Sequence, residues 1–125
     1  MKEAVAHKGF SIVELLVAVA IIAILATITI FALGSWRQRV AVTEVKNELT
    51  AAATALKDYK IFGSGYPIGS PPSLPATYKA TPNVTIVYIS GTASTYCLRG
   101  TSVAVSSVVF YMSHSLTTPQ TTACT

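Results

Sequence analysis

The chain has 125 residues, a size suited to one small domain rather than two. It is 51% hydrophobic and only 11% charged, against ~25% in an average soluble protein, and its net charge of +4 is too slight and too scattered to mark a nucleic-acid protein by itself. Residues 1–9 carry Lys2, Glu3, His7 and Lys8 without apolar periodicity and read as a leader, set aside from the fold.

From Leu15 to Leu33 run nineteen residues without a charge. A helix of that length spans about 28 Å, close to the ~30 Å hydrocarbon core of a bilayer. Glu14 stands at its leading edge, although a lone carboxylate at mid-bilayer costs ~2.5–3.5 kcal/mol on insertion scales. Ala32-Leu33-Gly34 also offers a small-x-small site, as after an ordinary signal peptide, but the apolar run of such a peptide is only ~7–15 residues and lacks a carboxylate.

The stretch Lys8-Gly9-Phe10-Ser11-Ile12-Val13-Glu14, continued by Leu15-Leu16-Val17 and the apolar run, closely resembles the prepilin signature of type IV pilins and of the related type II secretion pseudopilins. The resemblance covers residues 7–33. It implies cleavage between Gly9 and Phe10 by a prepilin peptidase, N-methylation of the new Phe10 amine, and Glu14 as the assembly residue. It also implies a single-pass precursor in the inner membrane that becomes an extracellular filament through the pilus assembly machinery. Ala23 stands where the family usually has a glycine and Phe31 where it usually has a proline, the interval over which family filaments are often locally unwound.

Lys2 and Lys8 before the span nearly balance Arg37 and Arg39 after it, so basic residues alone do not orient the chain. Cys97 and Cys124 do: an even pair in a short chain with an export signal points to a disulfide formed outside the cytoplasm. Trp36, beside the two arginines, has the character of a membrane-interface anchor.

Beyond the span, Val42, Val45, Leu49, Ala52, Leu56 and Tyr59 recur at alternating spacings of three and four, one face of a helix. The resulting organisation is a leader at 1–9, a membrane or filament-core helix at 10–35, the amphipathic half of the same helix at 36–62, and a loop, sheet and tail at 63–125. The region 63–77 has three glycines and four prolines, which end the helix. Three β-branched and aromatic runs follow at 84–89, 95–99 and 103–111, separated by hairpin-length turns at 90–94 and 100–102. The expected fold is α+β, a long helix whose amphipathic half packs on an antiparallel β-meander. On the third strand, Val103, Val105, Val109 and Tyr111 share a parity and are expected to face the helix. The Ser- and Thr-rich tail, 113–125, has no strand pattern and is tied back if Cys124 joins Cys97.

No constellation for catalysis is visible. Beyond the leader the acids are Glu14, Glu44, Glu48 and Asp58, all on the expected helix, and His114 stands alone, so neither an active site, a metal centre nor a cofactor site is expected. Asn83-Val84-Thr85 matches a glycosylation sequon, a chance match in such a chain. Two readings remain. One is a major-type pilin, a homopolymer of identical subunits serving adhesion, twitching motility or DNA uptake. The alternative is a minor pilin-like subunit or pseudopilin acting as a binding module with DNA or surface contacts. Glu14 favours the first, because minor tip subunits of the family frequently lack that residue.

Overall fold

The computed structural model describes residues 9–69 and 72–124. Helix α1 runs from Ile12 to Phe62. The sequence places its start at Phe10; the helix begins two residues later, and the Leu15 amide donates to the Ser11 carbonyl at 3.1 Å. Through Ala23 and Phe31 the helix is unbroken, because neither residue removes a backbone donor or demands glycine's conformations. It stops at Gly63, whose amide closes the last turn on the Tyr59 carbonyl at 3.0 Å. Internal contacts divide the chain into a first unit ending at Trp36 and a second, Arg37–Thr125.

In the second unit the strands are β1 (Val84–Gly91), β2 (Tyr96–Ser102) and β3 (Val109–Ser113), an antiparallel sheet in the order β1-β2-β3. This is the α+β architecture read from the sequence. β1 carries a bulge between Tyr88 and Ser90. The helical face that the sheet covers is Ala41, Val45, Leu49, Ala52, Ala53 and Leu56. Opposite it lie Val84 and Tyr88 of β1, Tyr96 and Leu98 of β2, and Met112 of β3, with Val108 just before that strand. Leu49, Leu56, Leu98 and Met112 are among the largest fully buried side chains, each contributing ~1.5–3 kcal/mol through removal from water.

Three expectations are corrected. The expected turn at 100–102 lies inside β2, with Thr101 paired to Thr85 on one side and Val109 on the other. The reversal is instead at 103–108, closed by amide-to-carbonyl bonds Ser102 to Val108 (3.1 Å) and Val108 to Val105 (2.9 Å), while the Ser102 hydroxyl accepts the Val105 amide at 3.2 Å. The Val103 amide donates to the Asn83 carbonyl and pins this turn beside the start of β1. Second, the helix-facing parity of β3 is the even one: Met112 is buried and Phe110 packs on the core, whereas Val103 is exposed; of the expected set Val105 does pack on the core, but from the reversal before the strand. Third, Tyr59 is exposed, so the covered helical face ends at Leu56.

Gly100 explains why a glycine sits in mid-strand. A Cβ there would approach Leu49 Cγ and Val45 Cγ1 to 2.9 Å and Ile86 Cδ1 to 3.1 Å, so the sheet lies on the helix more closely than any side chain allows. Gly65 serves the connection: a Cβ would meet the Ala93 carbonyl oxygen at 2.6 Å, and this close passage lets the Tyr66 amide bond that carbonyl at 3.0 Å.

Candidate assembly site

The residues singled out by the sequence fall at two places in the chain. At the first, Gly9 and Phe10 are exposed and precede α1, and Glu14 is in the helix's first turn, where a negative charge suits the partial positive charge of the helix end. Among the described residues the Glu14 carboxylate accepts no hydrogen bond. Ser11 and Glu14 have the spacing of a capping box, a signal the sequence offered without being used, yet its reciprocal side-chain bonds are not formed either. Glu14 therefore remains available to a donor from outside its own helix.

The residues after Glu14 are exposed along the whole apolar run, Ile12 to Leu33 included, and the most apolar 18-residue window has a mean hydropathy of 2.9 with none of it buried within the chain. So much apolar surface requires lipid or other helices as its surroundings. Its polar side chains are already satisfied: the Thr27 hydroxyl donates to the Ile24 carbonyl at 2.7 Å and that of Thr29 to Leu25 at 2.8 Å. These bonds let two threonines sit in hydrocarbon without an unmet donor. Sequence reasoning passed over both.

At the second place, Cys97 of β2 and Cys124 are joined as a disulfide with their Cα atoms 5.9 Å apart. The tail it holds is not wholly irregular. Tyr111 and Gln120 exchange both backbone bonds, amide to carbonyl at 2.7 and 2.9 Å, so the tail adds an isolated bridge to the open edge of β3. A loop of about 28 residues closed in this way is worth roughly 3–4 kcal/mol by chain entropy. Reduction is accordingly expected to lower the Tm of the detergent-solubilised full chain by roughly 10–25 °C. Chelation is expected to leave Tm unchanged, since no Asp or Glu follows Asp58 and calcium favours carboxylate oxygens. Circular dichroism melts with a reductant and with a chelator check both.

Tyrosines fasten the remaining connections. The Tyr78 hydroxyl donates to a Glu48 carboxylate oxygen at 2.7 Å, tying the proline-rich connection to α1. Burial first, then the hydrogen bond and charge of Glu48, hold the Tyr78 phenol well above its ordinary pKa. The Tyr88 hydroxyl donates to the Pro67 carbonyl at 3.2 Å, and its pKa is raised by burial and by Tyr66. Tyr96 is pushed up to about 12 by burial and by its neighbours Tyr66 and Tyr88. All three are neutral at physiological pH and act as donors or packing surfaces. Lys46 lies 4.9 Å from the centre of the Phe110 ring and Lys60 4.7 Å from that of Tyr66. Among the described residues no group of three or more His, Cys, Asp or Glu is placed to hold a metal ion.

Residues 6–34 match the family described as the prokaryotic N-terminal methylation motif. A similarity extends well past that segment: the chain is 37% identical over 92 residues to the type IV wide pilus major component PilA4 of Thermus thermophilus, covering 73% of this chain and 70% of the relative. The chain belongs to the type IV pilins. As a pilin it is a structural subunit of a multi-subunit pilus, made as a membrane-anchored precursor and carried into an extracellular filament. The exposed apolar half of α1 is long and apolar enough to serve as an anchor of that precursor.

Proposed function

We propose that this pilin is the major subunit of its filament and polymerises with identical copies through the apolar half of α1. The observation that carries the proposal is an apolar half of α1 exposed along its length and bearing one carboxylate that accepts no hydrogen bond among the described residues, in a chain similar to a pilus major component. A prepilin peptidase cuts after Gly9, and the amine of Phe10 becomes both the methylated terminus and a cation. Glu14 of one subunit then meets the Phe10 amine of a neighbour in the filament core, where each charge cancels the other's cost of burial. The chain is not an enzyme in this reading; adhesion, twitching motility and DNA uptake are properties of the filament and of the machinery that extends it.

Mass spectrometry of sheared surface filaments tests the processing. The expected mature chain begins at Phe10, with one methyl on its amine and with Cys97 and Cys124 linked. A mature start at Ser35 would show an ordinary secreted protein and end the filament proposal.

A further inference from the structure

Among the described residues of the second unit the most exposed large apolar side chains lie at two places, while Val87 and Ile89 of β1 are exposed to a lesser degree. One group follows the end of α1: Phe62 is 91% exposed, Ile61 74% and Ile68 70%. Beside it an open, mainly apolar groove of about 510 Å³ is lined by Asp58, Tyr59, Phe62, Gly63 and Thr77. The other place is the tip of the β2–β3 reversal, where Val103 is 63% exposed and Ala104 is exposed with it. No charged residue occurs between Gly100 and Ser113.

The strand register puts these two places at opposite ends of the unit. β2 starts at Tyr96, whose ring meets that of Tyr66 edge-on at 4.9 Å just past the end of α1. Four residues later Gly100 lies against Leu49 and Val45. β2 therefore runs antiparallel to this part of α1, and Val103 leaves the sheet at the Val45 end while Phe62 marks the other.

We infer that in the filament the Val103-Ala104 tip of one copy seats in the Tyr59–Phe62 groove of the next. This rests on the major-subunit proposal above. The occupant is a second copy because tip and groove belong to one chain, differ from each other and lie at opposite ends. A contact of that kind is heterologous: it does not close on itself as a dimer would and it propagates as an open helical array, the symmetry a pilus of many subunits requires. Pairing either patch with itself would stop at two copies. The tip is uncharged and the groove carries charge only at Asp58, so the contact removes apolar surface from water with little polar desolvation.

The test places Phe62→Cys and Val103→Cys together in the host's sole copy of the chain and treats sheared filaments with a short bis-maleimide. Expected is a ladder of dimers and longer species from the double variant and only the monomer band from either single variant. A monomer band from intact double-variant filaments overturns the contact and leaves the subunit proposal standing. Absence of the wild-type chain from the filaments would instead remove the subunit proposal. A ladder from Phe62→Cys alone means the patch pairs with itself and also overturns the contact. If the double-cysteine chain does not assemble, charge exchange decides. Phe62→Lys and Val103→Asp are each expected to lower the temperature at which filaments dissociate, and together to restore it. A combined variant no better than the worse single one overturns the contact, as does loss of surface attachment by Phe62→Lys filaments that dissociate at the wild-type temperature, which would assign the groove to an external partner.

Discussion

Glu14→Ala is expected to lower filament yield at least ~tenfold while export, cleavage after Gly9 and the fold of the second unit stay intact, with processed subunits accumulating in the membrane. The expectation follows from where the side chain lies and what surrounds it. Glu14 opens a helix whose next nineteen residues carry no charge, and its carboxylate accepts no hydrogen bond among the described residues. In the proposed filament it is one partner of a buried pair with the Phe10 amine. Removing one partner leaves the other buried alone, a loss of ~3–5 kcal/mol, and every ~1.4 kcal/mol is a factor of ten in association. Methylation keeps the positive charge on the amine, so it does not substitute for the carboxylate. The measurement is pilin in the sheared fraction against pilin in the membrane, at wild-type expression. Filament numbers equal to wild type would show that helix packing alone drives assembly and that Glu14 has no part in it.

Gly100→Val is expected to have the largest effect on the fold. A single Cβ at this position already comes within 2.9 Å of two side-chain atoms of α1, and valine adds two methyl groups beyond it. Val45 and Leu49 are fully buried and cannot turn aside into solvent. Overpacking of a core typically costs ~1–3 kcal/mol, and more where the neighbours have no room; a small domain has only about 5–15 kcal/mol in total. The variant should therefore melt at least ~15 °C below wild type in detergent, and its pilin should be degraded before it reaches the filament. Gly100→Ala should fall between the two. Gly34→Ala is the control: a Cβ there meets nothing within 4 Å, so its Tm should equal that of wild type or exceed it slightly. A Gly100→Val chain with wild-type Tm would mean that the sheet does not lie this close to α1.

The two variants separate two layers of the molecule. In the proposed filament Glu14 acts in the space between copies, so its loss should be invisible to any measurement on a single chain. Gly100 acts within one chain, and its loss reaches the filament only through unfolding. Measuring melting and filament yield on both therefore distinguishes failure to assemble from failure to fold.

What the sequence determined by itself is whatever depends on short-range order. The prepilin signature is contiguous, so membership of the type IV pilins was readable without coordinates. The helix was legible to its last residue because 51 residues without proline end at a glycine, and neither its termination nor the repeat of Val45, Leu49, Ala52 and Leu56 needs a distant partner. The pairing of Cys97 with Cys124 followed from there being only two cysteines in the chain. The tertiary structure decided the rest, and the reason is common to each case. A strand's two parities are equivalent until something covers one of them, so Val109 and Tyr111 matched the pattern as well as the inward residues of β3, Phe110 and Met112, and of the expected set Val105 packs on the core from the reversal. Gly100 has the chemistry of a turn, yet the helix behind it requires a residue without a side chain, and that moves the reversal to 103–108 and shifts every later residue. Tyr59 continues the helical spacing but is left half exposed, and Gln120 of the disulfide-held tail pairs with Tyr111 at the β3 edge. Each of these outcomes depends on a contact between residues far apart in the chain, which no local pattern encodes.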